Sequence, residues 1–167
     1  MTCEPLDGDR WRLTFGEPEA GFLMDVLARL ARHYREDLGA LTPGLREFWR
    51  TGTTAPVQDA TGDESREVLA ESREELRLER RSLAEAWLRD FELAEEPWVL
   101  EMTTGERDEF VAMLNDRRLI LALEAGVTQE GAVPAKAGLD RRRAAVLEID
   151  VLGHIIMVLL GPQIHRP

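Results

Sequence analysis

Asn115-Asp116-Arg117-Arg118 interrupts two apolar runs, Phe110 to Leu114 and Leu119 to Leu123. A carboxylate, an amide and two guanidiniums within one helical turn could act in acid-base catalysis, grip an anionic ligand or clamp neighbouring helices. At about 100° per residue, Phe110, Leu114, Leu121 and Ala125 form one apolar face. Ala112, Leu119 and Leu123 form a nearly opposite face, with Ile120 beside them. Arg117 and Arg118 flank the first face; Asn115 and Asp116 flank the second. A helix apolar on two sides is enclosed by neighbours, so the reading makes this the central helix, with a buried polar ring. An unpartnered buried charge costs about 3–5 kcal/mol. Partners are therefore required, and Glu74, Glu75, Glu79, Glu85, Glu148 and Asp150 are candidates. The preferred reading is structural: interhelical clamps that set packing register. A ligand site at the ring is the alternative.

Other chemistry is sparse. The histidines are His33, His154 and His165, and none has a second histidine at metal-ligand spacing. No Glu-x-x-His pair occurs, which argues against a carboxylate-bridged metal centre in a bundle. His33 reads as a surface residue beside Glu36, His154 as a core or interface residue, and His165 as part of a tail. There is no phosphate-binding glycine loop and no Gly-x-Ser-x-Gly. Cys3 is the only cysteine, so neither an intramolecular disulfide nor a cysteine-based zinc site can form. It reads as part of a flexible acidic terminus. No catalytic residue, cofactor-binding residue or metal ligand is assigned, and the reading leans away from an enzyme. Arg141, Arg142 and Arg143 form the most basic run, at the start of a helix. They could hold an anion, although a solvated surface patch beside Asp140 is the preferred reading.

The elements that must position these residues follow from periodicity. Trp11–Phe15 and Trp98–Met102 alternate like short strands and could pair. Phe22, Leu23, Val26, Leu27, Leu30, Tyr34 and Leu38 recur at helical steps from Glu17 onward, with Gly39 as a stop. Thr42-Pro43 opens a short helix with Leu45, Phe48 and Trp49. Residues 63–96 are helical, with a stripe of Val68, Leu69, Leu76, Leu83, Trp87 and Phe91. Ser72 and Glu75 have capping-box spacing, so one helix or two is left open. Thr103 to Glu106 is a second capping box, opening the helix that carries the polar ring and stops at Gly126. A final helix runs from Asp140 to about Leu160. Residues 51–62 and 128–138 read as mobile loops. The expectation is a mainly α, helical bundle-like single domain over 1–167, with a possible two-stranded β element.

The composition sets further bounds. The 167 residues include 32 acidic and 21 basic ones, a net charge of −11 that opposes non-specific binding to nucleic acid or anionic membranes. No apolar run approaches the roughly 20 residues a membrane span needs, and the N-terminus lacks a signal-peptide pattern. A cytoplasmic protein is expected. Residues 63–96 carry 12 acidic and 6 basic residues, with Arg77, Arg80 and Arg81 among glutamates. That pattern reads as a solvated helix with pairs such as Glu85–Arg89, or as a docking face for a basic partner.

Leu114-Asn115-Asp116-Arg117-Arg118-Leu119 resembles the Leu-Asn-Asp-x-Arg-Leu core of an uncharacterised bacterial family, the domain of unknown function numbered twenty-seventeen. Glu71-Ser-Arg-Glu-Glu-Leu-Arg77 resembles its preceding acidic helix. Asp150-Val-Leu-Gly153 is similar to its Asp-Trp-Leu-Gly signature, with Val151 in place of the aromatic residue. The Trp11–Leu38 segment resembles its N-terminal strand and helix. The resemblance implies a mainly helical cytoplasmic domain, often encoded beside an adaptor of the Clp protease, with a suggested regulatory role. A thiol-switch version would need a cysteine pair, and this chain has Cys3 alone.

Three functional readings follow. The first is a non-catalytic interaction or regulatory protein that offers an acidic helical face to a protein partner. The second is a DNA-binding transcription regulator using Arg141–Arg143. The third is a small-ligand binder or enzyme at Asn115–Arg118 with His154. A homodimer is left open and would be favoured by an exposed Trp49 or Leu45.

Overall fold

The computed structural model describes residues 1–51, 63–93, 97–126 and 139–161. In these segments three strands, β1 (Thr2–Pro5), β2 (Arg10–Phe15) and β3 (Trp98–Thr103), accompany five α-helices. The helices are α1 (Glu17–Arg35), α2 (Pro43–Thr51), α3 (Asp63–Leu93), α4 (Thr104–Ala125) and α5 (Leu139–Leu160). The mainly α expectation holds. The β element, however, has three antiparallel strands in the order β1-β2-β3, where two were expected.

β2 and β3 pair as their alternation suggests, with Leu13 opposite Leu100 and Trp11 opposite Met102. All four side chains are buried on the inner face. On the outer face Arg10 and Arg12 both pair with Glu101. β1 adds an edge strand, with Cys3 opposite Leu13. The apolar–polar alternation that marks a strand is missing from Thr-Cys-Glu-Pro, yet the segment pairs with β2 along its length. Gly8, at φ 77, occupies the left-handed region in the turn between β1 and β2.

The most extensive helix contacts are those of α1 with α3 and of α4 with α5. α1 contributes Leu23, Val26, Leu27 and Leu30, all fully buried. Glu19 reaches back to accept a hydrogen bond from the Gly16 N–H at 3.0 Å and starts the helix. α1 ends at Arg35, earlier than Gly39; Leu38–Ala40 instead form a separate 3-10 turn, whose Gly39 N–H donates to the Asp37 side chain. α3 is one helix through Ser72, which is exposed. With no glycine or proline in its interior, nothing interrupts its hydrogen-bond ladder.

The capping box that opens α4 is formed. Thr103 Oγ1 accepts from the Glu106 N–H at 3.2 Å, while the Glu106 carboxylate accepts from the Thr103 N–H at 2.8 Å. Gly126 closes the helix at φ 63. Phe110, Leu114, Leu121 and Ala125 are buried as one face, and Ile120 with them. The opposite face is only half-covered: Ala112, Leu119 and Leu123 are partly exposed. Leu123 lies close to Gly44 at the start of α2. Trp49 and Leu45 are buried, so the exposed patch that would have favoured a dimer there does not exist. The loop expectations for 51–62 and 128–138 lie outside the described residues, apart from Thr51, which ends α2.

Candidate functional site: a buried ionic network

The four residues of the expected polar ring separate into two buried and two outer positions. Asp116 and Arg117 are buried, Arg118 is half-buried and Asn115 is exposed. Four consecutive residues span more than a turn, and the half-open side of α4 takes Asn115 to solvent.

Asp116 is the junction of three helices. Its Oδ2 accepts a hydrogen bond from Tyr34 Oη of α1 at 2.8 Å and from Arg80 Nη1 of α3 at 2.7 Å. Arg80 also donates through Nε to Glu109 Oε2 at 3.3 Å. Glu109 and Asp116 lie seven residues apart, two turns along α4, so one guanidinium reaches both. Burial raises the Asp116 carboxyl above its ordinary value, against the pull of Arg80 and the Tyr34 hydrogen bond. Burial and then the Asp116 charge push the Tyr34 hydroxyl well above its ordinary value, so it remains a donor. Removing one partner of such a buried pair typically costs about 3–5 kcal/mol.

Arg117 makes the corresponding link to α5, donating through Nε to Glu148 Oε1 at 2.7 Å. The pair borders a cleft of about 160 Å³ that also includes Arg29, Leu121 and Glu124. That is below the roughly 300 Å³ at which ordinary small-molecule pockets begin. Arg118 donates weakly to Asn115 Oδ1 at 3.5 Å and lies against Gly153, where an added methyl would make ordinary contact at 3.8 Å.

Three further arginines belong to the interior, and the sequence reading missed them. Arg77, read as part of a solvated face, is buried and donates through Nη2 to the carbonyls of His33, Tyr34 and Glu36 at 3.4, 3.3 and 2.7 Å. These carbonyls lie at the end of α1; the His33 carbonyl also accepts from the Glu36 N–H at 3.2 Å, and Arg77 of α3 adds a cap supplied by another helix. Its Nη1 pairs with Glu74, and its guanidinium sits 5.5 Å from the centre of the Trp49 ring. Arg80 is the second. The third, Arg107, is fully buried, stacks 4.1 Å over Trp11 and donates to Asp108 Oδ1 at 3.1 Å. Its Nε and Nη1 have no hydrogen-bond partner among the described residues.

A sequence signal for these residues exists. Arg77, Arg80, Ala84, Trp87 and Phe91 continue one three-four spacing, and so do Arg107, Phe110, Leu114, Arg117 and Leu121. An arginine in register with an apolar seam directs its stem inward, and its guanidinium follows where acceptors receive it. Glu85 pairs with Arg35 and Arg81, where the expectation named Arg89.

The histidine readings need correction. His33 is buried: its Nε2 accepts a hydrogen bond from Trp49 Nε1 at 3.0 Å, which leaves the ring proton on Nδ1. Burial, aided by the charges of Arg77 and Arg117, lowers it to about 4. His154 is exposed on α5, so the core alternative is excluded. His165 lies outside the described residues. Cys3 sits in strand β1, where the reading placed a flexible terminus. Burial raises its thiol, and the Arg107 charge only partly offsets that. Arg142 and Arg143 lie on the first turns of α5 beside a shallow cleft with Val146, Leu147 and Asp150; the Arg141 side chain is outside the described residues.

Among the described residues no group of three or more His, Cys, Asp or Glu side chains could hold a metal ion. No helix there is long and apolar enough to cross a membrane. Comparison with known protein families, with curated proteins and with solved structures finds no match for the chain.

Proposed function

We propose that this chain is a non-catalytic cytoplasmic interaction or regulatory module that presents the outer face of α3 to a basic protein partner. The supporting observation is the inward turn of Arg77 and Arg80. Their removal from the surface leaves Glu71, Glu74, Glu75 and Glu79 exposed, with Leu78 more than half exposed among them. Leu78, Glu74, Glu36 and Asp37 border a groove of about 380 Å³ at the end of α1, together with Arg35 and Arg81, both of which are paired with Glu85. The exposed glutamates of α3 around Leu78 suit a basic segment with an apolar anchor. The likeness to the domain-of-unknown-function family twenty-seventeen agrees with a regulatory role and belongs to the same proposal.

The test compares wild type with Glu75→Lys/Glu79→Lys as affinity baits in lysate of the native host, after circular dichroism has matched their folds. The expected result is a specific partner that the wild type retains, the double variant loses and added salt releases. A partner held equally by both baits, or no specific partner at all, would overturn the proposal.

A further inference from the structure

The outer side of α5 is apolar where a surface helix is normally polar. Leu147 is 65% and Met157 71% exposed, with Val146, Val151 and Leu160 also uncovered. Arg143, Leu147, Asp150, His154, Met157 and Gly161 follow a four-three-four-three-four spacing, which sets them along one seam. The seam runs about 27 Å along the helix, at 1.5 Å per residue. It lies opposite the side that packs into the core through Ala145, Leu152, Ile155 and Leu159.

We infer that this seam is a self-association surface, on which α5 of a second copy of the chain packs antiparallel about a two-fold axis near Leu152. The charge pattern selects both the occupant and the direction. A parallel pair would set Arg143 against Arg143 and Asp150 against Asp150, each a like-charge contact. An antiparallel pair centred on Asp150 would also bring two carboxylates together. With the centre near Leu152, Leu147 of one copy meets Met157 of the other, so the two most exposed apolar side chains cover each other. Asp150 then faces His154, whose ring N–H can donate to the carboxylate. Arg143 reaches the last carbonyls of the opposing helix, at the negative end of its dipole. Each contact occurs twice, as a two-fold interface requires. This surface is separate from the acidic face of α3 and does not depend on the function proposed for it.

Sedimentation equilibrium on the full chain tests the inference. The wild type is expected to dimerise. Leu147→Glu and Met157→Lys, each introduced alone, should weaken the dimer by at least about thirtyfold, since each removes the Leu147–Met157 contact at both of its two-fold-related places. Combined in one chain, they should restore much of the association, because the new acid of one copy then faces the new base of the other. Positions 147 and 157 are about 15 Å apart along their own helix, too far to pair within one chain. Both side chains are mostly exposed, and circular dichroism would show that the single variants still fold; Leu147→Ser serves if the charged variant does not. A wild type that stays monomeric overturns the inference, including one that instead binds a foreign amphipathic helix. So does a dimer indifferent to the single substitutions, or one that the combined substitutions fail to restore.

Discussion

His33 illustrates how burial controls a single titratable group. Its ring is enclosed by Trp49 and Tyr34, accepts the indole N–H and lies 3.7 Å from the Glu36 carboxylate through Nδ1. The folded imidazole has a value of about 4, against an ordinary 6.5. Below about 6.5 the unfolded chain takes up a proton that the folded chain refuses. The contribution of His33 to stability is therefore complete above that value and declines as pH falls toward 4. At 1.36 kcal/mol per unit the loss approaches about 3 kcal/mol. Urea unfolding at about pH 7.5 and about pH 4.5 should show a loss with acid that is smaller by about 2–3 kcal/mol in His33→Gln. Equal acid sensitivity in the two proteins would contradict the assignment. At this scale Asp116 was legible as a buried charge needing a partner, and Glu148 as a partner available to the ring. The identity of Tyr34 and Arg80 as the donors to Asp116 was not. They come from helices whose packing depends on the whole chain, and no local spacing relates positions 34, 80 and 116.

Among the elements, α3 departs most from its sequence reading. Alternating arginines and glutamates ordinarily mark a solvated helix, but a guanidinium on a long stem can enter the interior if carbonyls and carboxylates receive it. The end of α1 provides such acceptors. Arg77→Met keeps the stem and removes the guanidinium donors to the carbonyls of Tyr34 and Glu36, while the His33 carbonyl keeps its bond from the Glu36 N–H. A loss of about 3 kcal/mol is expected from urea unfolding, given about 1–3 kcal/mol for each uncompensated buried acceptor and partial rescue by water. Hydrogen exchange should accelerate first over residues 33–41, where α1 gives way to the 3-10 turn. Unchanged stability and exchange there would show that Arg77 does not cap α1. The capping box of Thr103 and Glu106 was fully legible, because all its contacts lie within four residues. Strand β1 was not, although Asp7-Gly8 is a recognised hairpin-turn pair. Its side chains do not alternate, and its stability comes from pairing with β2.

On the scale of the whole molecule, the ionic groups tie together helices that already share one apolar core. Asp116 connects α4 to α1 and α3, and Arg117 connects it to α5. Burying arginine also redistributes charge, concentrating carboxylates outside. With a net charge of −11, the chain should not retard random-sequence duplex DNA even at about 50 mM salt, where phosphate contacts are strong. A gel shift that appears at low salt and disappears in Arg142→Glu/Arg143→Glu would revive the DNA-binding reading.

Features held within one element were determined by the sequence itself: the helical class, the β2 and β3 alternation, the start of α4 and its glycine stop. Each depends on periodicity or on hydrogen bonds between residues a few positions apart. Tertiary structure alone decided which carbonyls and carboxylates receive the inward arginines, and which side of α5 stays uncovered. A charge can enter the interior only where a partner from a distant segment lowers its desolvation cost, and such proximity exists only after the helices have packed.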